Sequence, residues 1–143
     1  MSSQEKIRIL AVDDSPEVRA LFELLMKDHA EFETVGTLKD TESLEDGIIL
    51  FRPHVVVLDL AMPGRDSIEA LTSARRQFPT LGFLVFSSVD DPQKVEAAMA
   101  AGATGYLVKE GDYDELASGL RKVANGERVQ PRIGYRYGPT WVD

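Results

Sequence analysis

Five side chains in this sequence could do chemistry together: the carboxylates of Asp13, Asp14 and Asp59, the hydroxyl of Ser87 and the amine of Lys109. Three carboxylates in one crevice repel one another, and some would protonate unless cations stood among them. Lys109 supplies one positive charge, and a divalent ion would supply the rest. Oxygen-only ligands with room for water suit Mg2+ rather than zinc. Asp59 stands apart by its position. It follows Val55-Val56-Val57-Leu58, the most hydrophobic run in the chain, and precedes Leu60-Ala61-Met62-Pro63-Gly64. An aspartate so placed is a potential nucleophile that can take a phosphoryl group as an acyl phosphate. Such a transfer needs positioned cations and donors around the moving oxygens, which Mg2+, Lys109 and Ser87 could provide. No glycine-rich phosphate loop occurs, so the donor is not expected to bind as a nucleotide.

These residues converge only if the elements that carry them do. Four apolar residues in succession before Asp59 indicate a strand covered on both faces, as in a parallel sheet. A first strand is expected at 7–12, ending at Asp13-Asp14. Ser15-Pro16-Glu17 then opens a helix with Val18, Leu21, Phe22, Leu25 and Met26 on one stripe. A weaker strand at 32–38 and a helix from about Thr41 to Phe51, stopped by Pro53, come next. Ser67 is read as the cap of a helix carrying Ile68, Leu71 and Ala74. A strand at 83–86 ends at Ser87-Ser88, and Asp91-Pro92 starts a helix that Gly102 terminates. A fifth strand at 106–108 ends at Lys109, and a last helix runs from Asp112 to Ala124. Five alternations with short connections call for a parallel sheet with helices on both faces. Ligands bind outside the carboxyl ends of such strands, where all five residues stand.

Composition narrows the alternatives. The 143 residues, 43% hydrophobic, suffice for one domain with a real core. The absence of cysteine excludes disulfides and thiolate chemistry, and only His29 and His54 could serve as histidine ligands. A net charge of −8 argues against this segment alone gripping nucleic acid. No apolar run is long enough to span a membrane and no signal-peptide pattern opens the chain, so the cytoplasm is the expected compartment.

Val12-Asp13-Asp14, Asp59 to Gly64, Ser87-Ser88 and Gly102-Ala103-Thr104-Gly105-Tyr106-Leu107-Val108-Lys109 together resemble the receiver domain of two-component response regulators. The last stretch is most similar to receivers that precede a helix-turn-helix output domain. The likeness covers roughly residues 6–125 and implies a doubly wound, flavodoxin-like fold with strand order 2-1-3-4-5. It implies Asp59 as phosphoacceptor, with Mg2+ held by Asp14 directly, Asp13 largely through water, Asp59 and the Ala61 carbonyl. It implies Lys109 and Ser87 as phosphoryl-binding groups, and Ser87 with Tyr106 as a switch that remodels the surface of the fourth helix, fifth strand and fifth helix. The implied partners are a sensor histidine kinase or phosphotransfer protein and a downstream protein or output domain. A second copy of the chain is a further candidate. The protein would promote only its own aspartyl phosphorylation and dephosphorylation.

Departures from the family pattern bear on detail. Glu110 follows Lys109 where proline is common, and a cis bond there would cost about 3–4 kcal/mol more than trans. Ser67 stands where many receivers have glycine. Ala61 and Val89, two residues beyond Asp59 and Ser87, offer no acid or amide to orient a hydrolytic water, which predicts slow self-dephosphorylation. Residues 1–125 are read as the receiver and 126–143 as a tail or flexible linker. In that tail Arg128, Arg132 and Arg136 alternate with Tyr135, Tyr137 and Trp141, a mixture that could also contact nucleic acid or a partner. Two other functions compete. A phosphohydrolase with an aspartyl nucleophile would need an acid at Ala61, and an interaction module without phosphorylation would not need Asp14, Asp59, Ser87 and Lys109 intact.

Overall fold

Ten elements alternate along the chain: β1 (Ile7–Val12), α1 (Pro16–Asp28), β2 (Phe32–Leu38), α2 (Leu44–Phe51), β3 (Val55–Leu58), α3 (Ser67–Gln77), β4 (Gly82–Ser87), α4 (Pro92–Ala101), β5 (Gly105–Val108) and α5 (Tyr113–Ala124). The computed structural model describes residues 5–109 and 113–130. The strands form one sheet in the order β2-β1-β3-β4-β5, every neighbouring pair parallel. The parallel sheet expected from the alternation is present, in the doubly wound, flavodoxin-like order that the family resemblance implies.

Successive strand residues point to opposite faces, and the core divides accordingly. Leu10, Val12, Val56, Leu58, Phe83 and Val85 meet α2, α3 and α4, while Ile9, Ala11, Val55, Val57, Leu84 and Phe86 meet α1 and α5. All four residues of β3 are buried, and so are all six of β4. Both flanks of Asp59 are therefore fixed by packing, with each large buried side chain contributing about 1.5–3 kcal/mol.

Three local expectations need correction. The second helix begins at Leu44 and not near Thr41. Thr41 is fully buried and spends its backbone N–H and hydroxyl on the loop after β3. The cap of α3 is Asp66, whose carboxylate accepts from Ile68 N at 3.0 Å, so Ser67 is the first helical residue and not the cap. The strands β4 and β5 each start one residue earlier than read, at Gly82 and Gly105. Asp112 and Glu110 lie outside the described residues, as does the tail from Pro131 to Asp143. Of the tail residues within reach, Val129 forms a parallel bridge with Gly105 on the outer edge of β5.

Candidate functional site

The carboxyl ends of the strands bring Asp13, Asp59, Ser87 and Lys109 together. Backbone bonds set their levels: Asp59 N donates to Val12 O at 3.2 Å, Asp13 N to Leu38 O at 3.1 Å and Lys109 N to Ser87 O at 2.9 Å. The Lys109 ammonium then lies between two carboxylates, 2.8 Å from Asp13 Oδ2 and 3.1 Å from Asp59 Oδ2. Each acid's other oxygen accepts from the backbone. Ser15 N donates to Asp13 Oδ1 at 2.8 Å, and Ala61 N to Asp59 Oδ1 at 3.2 Å. The side chains of Asp13 and Asp59 are only 3% and 11% exposed, so water screens the pair of charges weakly.

Burial works against the charge on Lys109. Hydrogen bonds and Coulombic attraction from Asp13 and Asp59 outweigh it and hold the ammonium above its ordinary pKa. Two carboxylates against one ammonium leave a negative charge uncompensated. Asp14 adds another from an exposed position at the rim. Among the described residues, no three acidic or histidine side chains gather into a metal-binding cluster. The donors available are all hard oxygens around an excess of negative charge, a chemistry that fits Mg2+.

Ser87 is completely buried at the end of β4, and its Oγ accepts from Val89 N at 3.2 Å. The Tyr106 ring is also completely buried, and its hydroxyl donates to Val89 O at 2.5 Å. Burial pushes the Tyr106 phenol up to about 12, against a smaller opposing effect of the Ser87 hydroxyl. Ser87 and Tyr106 thus share the Ser88–Asp90 stretch as a common contact, through Val89. Ala61 is exposed beside Asp59, and Val89 is partly buried.

Two features of the site escaped the sequence reading. Ser67 Oγ donates to the Asp59 carbonyl at 3.1 Å from a buried position. This joins the first turn of α3 to the backbone of Asp59 in a single bond. The second feature is a clamp on the loop between β3 and α3. Thr41 Oγ1 donates to Arg65 O at 2.6 Å, and Arg65 Nη2 returns a bond to Thr41 O at 2.9 Å. The Arg65 guanidinium grips Glu45 on α2 with two bonds, at 2.5 and 3.2 Å, and Ser73 on α3 donates to the same carboxylate at 2.7 Å. Burial alone would raise the Glu45 carboxyl, but the bonds from Arg65 and Ser73 hold it below the usual range. Gly64 serves this clamp with a φ of 97°, and an added Cβ would stand 3.0 Å from Thr41 Oγ1.

The family model for the response regulator receiver domain matches residues 9–121. The chain belongs to that family. The transcriptional regulatory protein DegU of Brevibacillus brevis is 32% identical over 132 residues, spanning 92% of this chain and 56% of that protein. The nitrate/nitrite response regulator protein NarL of Escherichia coli (strain K12) is 33% identical over 132 residues, spanning 90% of this chain and 60% of that protein. This receiver therefore spans little more than half the length of the regulators it matches. Among solved structures, a LuxR-family two-component response regulator from Aurantimonas sp. SI85-9A1 superposes with a TM-score of 0.86 at 28% identity, covering 97% of this chain and all of that one. These relatives are response regulators of the LuxR and NarL type, in keeping with the helix-turn-helix subfamily resemblance. No helix among the described residues is long and apolar enough to cross a membrane.

Proposed function

We propose that this receiver is a phosphorylation-activated switch in which Asp59 accepts a phosphoryl group from a histidine kinase or phosphotransfer protein. The observation that carries this reading is the Lys109 ammonium held between Asp59 and Asp13 at 3.1 and 2.8 Å. An aspartate so paired is held in one orientation, as a nucleophile must be. One of its oxygens lies on the ammonium that would later meet the phosphoryl oxygens. Asp14, Asp13, Asp59 and the Ala61 carbonyl would hold Mg2+. That ion would neutralise charge on the transferring group.

The chain's own residues account for the remaining requirements. Ser67 and the Ala61 amide fix both ends of the Asp59 residue, backbone and carboxylate. The Ser87 hydroxyl, at the end of the neighbouring strand, would turn from Val89 N toward a phosphoryl oxygen. Tyr106 would then be held in its buried position by the space behind Ser87, biasing an existing two-state equilibrium at α4, β5 and α5. The output would be transcription control, as the name of DegU, a transcriptional regulatory protein, suggests for that full-length regulator, acting through a DNA-binding domain or a protein partner. Residues 1–125 would act as the receiver, with the segment from 126 onward as the connection to the output. The cytoplasm is the compartment this reading requires.

The test is stoichiometry. With Mg2+ and acetyl phosphate, the chain should take up one phosphoryl group and release phosphate from simple esters no faster than buffer. Sustained turnover of phosphate esters, abolished by Asp59→Asn, would favour an aspartyl phosphohydrolase. Failure to take up any phosphoryl group would favour an interaction module that does not use phosphorylation.

A further inference from the structure

The segment that leaves α5 does not run straight away from the domain. Gly126, at φ 81°, turns the chain, with Gly126 N donating to Val123 O at 3.0 Å and Glu127 N to Lys122 O at 2.8 Å. The chain then lies against the outer edge of β5. Val129 N donates to Thr104 O at 3.2 Å, and Tyr106 N donates to Val129 O at 2.9 Å. The Val129 side chain packs on the α1–α5 side of the core. Close approach depends on Gly105, where an added Cβ would stand 2.9 Å from Val129 Cβ. The next register position would need an N–H from residue 131, and Pro131 has none.

One residue therefore touches both ends of a path. Tyr106 binds the β4–α4 loop through its hydroxyl, at Val89 O, and binds this segment through its backbone N–H. We propose that residues 127–130 form a docked strap on the β5 edge, and that the Tyr106 switch governs its docking and so passes the state of Asp59 to the chain beyond. The inference rests on the reading of Asp59 as phosphoacceptor and adds the element that carries the signal out. The buried Tyr106 ring and the docked strap occur in the same conformation, so a phosphoryl group that favours the one favours the other. A strap held by two main-chain bonds belongs to the weakly protected part of the fold, where a modest bias changes occupancy. Coupling of this kind is reciprocal, so losing the strap must weaken binding at Asp59 by the same factor.

Residue-resolved amide hydrogen exchange on the whole chain, with Mg2+ and with or without beryllofluoride as the phosphoryl mimic, tests this. Loading is expected to shift the resonances of Asp59, Ala61 and Ser87 and to slow exchange at the Val129 amide by about tenfold, a usual size for coupled sites. Those shifts with unchanged or faster exchange at Val129 would overturn the strap while leaving the phosphoacceptor reading intact. No shifts at all would remove both. Val129→Asp, with its fold checked by circular dichroism, is expected to bind beryllofluoride about tenfold more weakly, and Val129→Ile to bind as the native chain does. Equal affinity in a folded Val129→Asp would also overturn the proposal.

Discussion

At the scale of single residues, the site sets two buried carboxylates against one ammonium, with all four carboxylate oxygens of Asp13 and Asp59 bonded. Asp13 and Asp59 each offer one oxygen to Lys109 and one to a backbone N–H. Types and spacing made these residues legible, because strand ends in a parallel sheet leave little freedom about where a side chain stands. Ser67 was legible as a polar residue near a helix start, but not in its role. A serine one position past the cap has no sequence signal for bonding a carbonyl eight residues earlier. Ser67→Ala should cost about 1 kcal/mol in urea unfolding, the usual net worth of a neutral hydrogen bond, and slow phosphoryl uptake by Asp59. Ser67→Thr should keep most of the uptake rate, since it keeps the hydroxyl. Ala61 makes a separate point about lifetime. Ala61→Asn places an amide beside Asp59 that can orient water, and the acyl phosphate should decay several-fold faster than in the native chain, as followed by loss of the phosphorylated mass.

At the scale of elements, legibility followed the range of the interactions. The bounds of β1 and β3 could be read from local apolar runs of continuous burial, and those of β2 from a weaker run in which Phe32 is the buried residue. The start of α2 could not be read, because Thr41 finds its partners at Pro63 and Arg65, 22 and 24 residues further on. Likewise Val129 looks like one residue of a polar tail until Gly105 and Thr104 are placed beside it. The Thr41–Arg65–Glu45–Ser73 clamp gives the β3–α3 loop a fixed shape, and that loop carries both the Ala61 amide and the Ala61 carbonyl. Thr41→Val removes a buried hydroxyl and leaves the Arg65 carbonyl without one of its donors. The expected loss is about 1–3 kcal/mol of unfolding free energy, read as a lower urea midpoint at unchanged slope. Phosphoryl uptake should slow in the same variant, because the loop beside Asp59 loosens.

At the scale of the whole molecule, two groups make stability depend on alkaline pH, with the same sign. Tyr106 is held near 12 in the fold against 10.0 in its ordinary state, and Lys109 is held above its ordinary 10.5. Between the two Tyr106 values the unfolded chain has released the proton that the folded chain keeps, so stability falls as pH rises. The contribution of each group is fully present below its ordinary pKa. Urea unfolding should therefore show little change from these groups up to about pH 10 and a progressive loss toward about pH 12. In Tyr106→Phe the Tyr106 part of that loss should vanish, together with the late-rising component of tyrosinate absorbance. A Tyr106 titrating near the ordinary 10.0 would contradict the fully buried ring.

The central claim is that Asp59 accepts a phosphoryl group, and intact-mass analysis tests it most directly. After incubation with Mg2+ and acetyl phosphate, the native chain should gain the mass of one phosphoryl group, and a folded Asp59→Asn variant should gain none. An equal gain in Asp59→Asn, or no gain in the native chain with its fold intact, would contradict the account.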